Sequence, residues 1–182
     1  MLRTTDKCLE VIPLEESFMT FQNSVLIEEG FVRKDWACKE LGNVVVFHNE
    51  VFRMNWFATK LVTFVFIING TPTDYAQIES NYDFLSAYAR SNKNSIIPRG
   101  LNLGYALLPI YCGTNFDESL IRDVKSKYLK KWCMFHIPSL FDMDDQHLIT
   151  MEAKMIWGRI YQSFIQETIQ KSASAGGPCA AV

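Results

Sequence analysis

The chain has 182 residues and a mass of 21.0 kDa, with 48% hydrophobic, 21% charged and 13% aromatic residues. That is room for one domain and too apolar for wholesale disorder, and nine Gly with six Pro exclude a collagenous or low-complexity chain. Eighteen Lys+Arg against twenty Asp+Glu give a net charge of −2, a balance that does not favour nucleic acid as a partner.

The elements follow in order. Leu14, Phe18, Phe21, Val25 and Leu26 share one helical face, and Gly30 ends the run after Glu28 and Glu29. Two carboxylates at a helix C-terminus oppose the macrodipole, so that end frays or meets a cation. After a short connection, Asn43 to Phe52 and Thr59 to Asn69 read as neighbouring strands, rich in β-branched and aromatic residues. The second is apolar on both faces, as a central covered strand is.

Asp74 and Gln77 form a capping box ahead of Tyr75, Ile78, Tyr82, Leu85 and Ala89 at helical spacing. Ser91 to Asn102 is a polar loop. Gly104 to Cys112 is a strand in which Pro109, lacking an N–H, favours an edge or a bulge. Asn115 with Glu118 reads as a second capping box, opening a helix with Leu120, Ile121, Val124 and Tyr128 inward and Lys125, Lys127, Lys130 and Lys131 at its last turn. Trp132 to Phe141 and His147 to Met151 read as a hairpin, and Ile156, Ile160, Phe164, Ile165 and Ile169 as the inner face of a last helix. The expected fold is α+β, or three-layer α/β, with a mixed sheet of about five strands and about four helices in the order α-β-β-α-β-α-β-β-α. It occupies residues 1–171 as one domain, with residues 172–182 as a flexible tail.

The longest apolar stretch, Leu61 to Ile68, is far shorter than the roughly 20 residues that span a bilayer. The N-terminal MLRTTDKCLEVIPLEE has no apolar core and does not read as a secretory signal. Cys8, Cys38, Cys112, Cys133 and Cys179 are odd in number and irregularly spaced, which is no disulfide framework. These features point to a soluble, reduced, cytoplasmic protein. The terminal Cys179-Ala180-Ala181-Val182 matches a prenylation box in form, but Val is not a usual last residue and no polybasic run precedes it.

Asp142, followed by a hydrophobic strand and then Glu152-Ala153-Lys154, resembles the metal-dependent nuclease motif PD-(D/E)xK. The resemblance implies Asp142 and Glu152 as ligands of a divalent cation such as Mg²⁺, and Lys154 as the group that orients water or stabilises charge. Hairpin geometry strains the assignment. A turn centred near Asp144 and Asp145 sets Glu152 opposite Pro138, about 12 Å or more along the strand from Asp142. The competing reading makes Asp142, Asp144 and Asp145 turn formers, with Glu152 and Lys154 solvated.

The loop Asn92 to Gly104 carries Lys93, Arg99 and Gly100 beside Arg90, a set suited to a nest for a small anion. It precedes a strand, so no helix dipole assists it, and the residues favour an ordinary ordered loop over the nest. Residues 1–30 have a charge of −4 and residues 86–131 a charge of +5, so the near-neutral total conceals an asymmetry. Cys133 and His136, three apart on a strand, face opposite ways and do not share an ion. A Cys-His pair drawn from Cys112 or Cys133 with His48 or His136 is a further possibility in space. Trp36, Trp56 and Trp157 fall near element ends, where exposed aromatics mark contacts.

Together these residues lead to an expectation of a module that binds a protein partner or small anionic ligand without cofactor or catalysis, as a homo-oligomer. The alternative is a Mg²⁺-dependent phosphodiesterase.

Overall fold

The computed structural model describes residues 25–56, 59–93, 103–156 and 158–173. It corrects the expected architecture, because the sheet has eight strands rather than five. A helical segment at residues 25–28 (α1) precedes three antiparallel strands, Val32–Cys38 (β1), Gly42–Arg53 (β2) and Thr59–Asn69 (β3). Helix Tyr75–Ser91 (α2) crosses to Leu103–Gly113 (β4), which lies parallel to β3. Helix Glu118–Ser126 (α3) leads to two small hairpins, Leu129–Lys131 (β5) with Met134–His136 (β6) and Ser139–Asp142 (β7) with His147–Ile149 (β8). Helix Arg159–Ala173 (α4) closes the order. The class remains α+β, and helices cover both faces of the sheet. α2 and α3 pack on the side of Val46, Phe64 and Tyr105, while α1 and α4 pack on the side of Phe47, Val65 and Leu108.

The extra strands have identifiable causes. β1 reads from the sequence as a connection because only Cys38 within it is buried; its Val32 and Trp36 alternate with charged residues on an outer edge. The stretch from Trp132 to Phe141 is broken at Ile137-Pro138, so β4 is flanked first by β6 and then by β7. This break also explains Pro109, which lies within a fully buried central strand and not at an edge. Tyr105 N–H donates to the Cys133 carbonyl and Ile137 N–H to the Leu107 carbonyl, so odd-numbered residues of β4 aim their backbone groups toward β6 and β7. Pro109 continues that alternation and meets the gap between the two strands, where no ladder bond is lost.

Several ends obey local chemistry. Gly30, at φ +82, closes α1: its N–H donates to the Ile27 carbonyl and the Phe31 N–H to the Leu26 carbonyl, with Leu26 and Phe31 packed in one core. The carboxylates at this end do meet a cation, Lys171 Nζ at 2.6 Å from Glu29 Oε1. Asp74 caps α2, accepting from Gln77 N–H at 2.8 Å, while Gln77 Oε1 accepts from Thr73 N–H. The cap of α3 is Asp117 in place of Asn115, and it accepts from Ser119 N–H at 2.7 Å. No described helix is long and apolar enough to cross a membrane.

Candidate functional site

The residues of the nuclease resemblance lie in separate surroundings. Asp142 ends β7 opposite His147, and its Oδ1 accepts from the Asp144 and Asp145 N–H groups of its own turn. Glu152 lies five residues beyond His147 and pairs with Lys125 of α3 at 2.9 Å, while its N–H donates to the Lys125 carbonyl. Lys154 is exposed in the segment between β8 and α4. Among the described residues there is no group of three or more His, Cys, Asp or Glu side chains placed to hold a metal.

Of the anion loop, Arg90 folds back on α2, donating to the Ser86 carbonyl at 2.9 Å and to Ser86 Oγ at 2.6 Å. Lys93 is partly buried just past the end of α2. Arg99 and Gly100 lie outside the described residues, as do Trp157 and the C-terminal Cys179. The basic middle third is largely engaged: Lys125 with Glu152, Lys127 with Asp123, and Lys131 over the Tyr82 ring and 3.8 Å from Asp83. Trp56 is buried against Tyr161 and Phe164, and Trp36 is half-buried against Tyr88.

One polar cluster was not anticipated. The alternation of β2 places His48 and Glu50 beside Lys60 of β3, on the face of Val46 and Phe64. His48 stacks on Phe64, and Lys60 Nζ pairs with Glu50. Burial holds the His48 imidazole below its ordinary pKa, against the pull of Glu50, with Lys34 and Lys60 acting in the same direction as burial. It is therefore neutral at pH 7, with its Nε2 3.5 Å from Glu50 Oε1. Glu50→Ala removes the carboxylate from beside a Lys60 that keeps only 26% of its exposure. The expected loss is about 1–3 kcal/mol in urea denaturation, largely regained in Glu50→Leu/Lys60→Met. A loss below about 0.5 kcal/mol would show the pair to be solvated.

A second locus is a groove of about 530 Å³ at the end of the sheet where β3 and β4 begin. Its floor is Gly104, Phe135 and Tyr161, with Tyr161 held by a 2.6 Å hydrogen bond between its hydroxyl and that of Thr59. Gly158, at φ +80, lets the backbone close on the Phe135 ring, where a Cβ would stand 2.4 Å from Cζ. The walls are the β5–β6 turn and the approach to α4. Trp132, in that two-residue turn, is 81% exposed. Ile156 and Ile160, expected on the inner face of the last helix, are 85% and 38% exposed; Ile156 lies ahead of α4, which begins only at Arg159. Trp132 also has φ 55, at the first turn position where hairpins favour Gly. A left-handed non-glycine residue costs about 1–2 kcal/mol. Here the tryptophan recovers little of that by burial.

Among the described residues of the lining the charged ones are Lys130 and Arg159, with no carboxylate. Trp132 carries no signal in the sequence beyond an aromatic following two lysines, and the helical spacing of Ile156 points to a helix that begins only at Arg159. No known protein-family model matches the chain, and no curated protein does.

Proposed function

We propose that this protein is a non-catalytic binding module of the cytoplasm whose groove beside Trp132 receives an apolar segment of a protein partner. The observation that carries this reading is Trp132 itself, a large aromatic held in a costly backbone conformation and left in solvent next to Ile156. Strain that the fold does not repay is characteristic of functional positions, and Trp and Arg are the residue types that dominate binding energy at interfaces. The free thiols of Cys38 and Cys133 support a reducing compartment.

Trp132→Gly separates fold from function. Glycine relieves the turn, so stability should be unchanged or raised by up to about 1 kcal/mol. Displayed random twelve-residue peptides selected on the full chain should bind the variant at least tenfold more weakly. Selection that enriches nothing, or peptides indifferent to this substitution, would remove the basis for the proposal.

A further inference from the structure

The groove's charge narrows what fills it. Its described lining combines exposed Trp132, Ile156 and Ile160 with Lys130 and Arg159, and contains no acidic residue. Arg159 forms no ion pair among the described residues. It stands in the first turn of α4, which has no acidic residue either. A cation there opposes the helix dipole, whose positive end adds to the same local field. An apolar groove with a one-signed rim attracts a partner of opposite charge and rejects one of like charge.

We infer that the partner segment is acidic as well as apolar, setting a large side chain between Trp132 and Ile156 and a carboxylate against Arg159, with Lys130 adding to the same positive field. The inference rests on the partner-binding reading and goes beyond it in naming the partner's chemistry. Arg159 gives the contact direction, since a planar guanidinium takes a carboxylate in two parallel hydrogen bonds. Ile156 and Trp132 supply the apolar area that such pairs need around them to exclude water.

The test uses the full chain and the same twelve-residue peptide library. Peptides selected on the wild type should carry Asp or Glu next to Leu, Ile, Phe or Trp. Their affinity should fall at least tenfold in Lys130→Glu/Arg159→Glu, and selection on that variant should favour Lys and Arg instead. Affinity for the wild type should also fall as salt is raised. If the selected peptides show no acidic bias, or tolerate the charge reversal while still requiring Trp132, the acidic partner is wrong and the groove stands. If they bind Trp132→Gly as well as wild type, the groove reading itself fails. Two other outcomes would also overturn the inference. One is binding to phosphatidylserine vesicles in a Trp132-dependent way without peptide enrichment, which assigns the surface to a membrane. The other is a 42 kDa particle that falls to 21 kDa in Trp132→Gly, which assigns it to a second copy.

Discussion

Replacing His136 by leucine should remove much of the protein's sensitivity to mild acid. His136 lies in β6 with no exposed surface, its ring in a T-shaped contact with Tyr82, and neither ring nitrogen has a hydrogen-bond partner among the described residues. Burial, with a smaller push from Lys131, depresses its pKa to about 3, against 6.5 in the unfolded chain. Above pH 6.5 both states are neutral at this site and it has no effect on the pH dependence. As pH falls below 6.5 the unfolded chain takes up the proton and the folded chain does not. Folding stability therefore drops by about 1.4 kcal/mol per pH unit, until the folded group protonates near pH 3, for a total of about 5 kcal/mol. At pH 5, where most carboxylates are still ionised, the wild type should have lost about 2 kcal/mol, or roughly 4–8 °C in Tm. His48, also depressed, acts in the same sense. His136→Leu keeps a side chain of similar bulk and should lose correspondingly less between pH 7 and pH 5. Parallel pH profiles for the two proteins would show that His136 is not the group responsible.

Gly158→Ala should be among the most damaging single-methyl additions to the fold, costing about 3 kcal/mol. Two penalties coincide there. An L-residue at φ +80 is disfavoured by about 1–2 kcal/mol, and a Cβ at 2.4 Å from the Phe135 ring forces repacking worth about 1–3 kcal/mol. For a chain of this length, Tm should fall by roughly 6–12 °C. Only the steric part depends on the ring, so Phe135→Leu should couple to Gly158→Ala by about 1 kcal/mol in a double-mutant cycle. Strict additivity would mean that the backbone conformation alone requires the glycine. Because Gly158 also lines the groove, the same substitution should weaken the selected peptides by more than its stability cost accounts for.

The legible parts of this fold are those in which one force dominates locally. β3 is apolar from Leu61 to Ile68 save for Thr63 because it is covered on both faces, and α2 carries its cap in Asp74 and its buried face in Ile78, Tyr82 and Leu85. β1 escaped because pairing holds it, not burial: Arg33, Lys34 and Asp35 face solvent while their backbones pair with β2. β5 escaped because Lys130 and Lys131 fit a helix end as well as an exposed edge strand, and only the stop of α3 at Ser126 decides between them. The groove was hidden for a related reason. Ile156 has the spacing of the last helix's inner face, but residues 151–156 are not helical, and the Glu152 and Ala153 N–H groups tie the chain back to the Lys125 carbonyl. Helical periodicity counted across a non-helical segment places a solvent-facing side chain in the core.

The gap opposite Pro109 has a further consequence for how the molecule associates. By dividing the flank of β4 between two strands, it gives the sheet a forked margin in place of one long border. Each tine ends in a three-residue strand, β5 or β8. The opposite border, β1, is longer but studded with Arg33, Lys34 and Asp35. Neither margin offers the long, flat, uncharged template on which another chain's backbone could add as a new strand. The interruption that accommodates Pro109 in mid-sheet therefore also leaves the described sheet without a long margin for fibril growth.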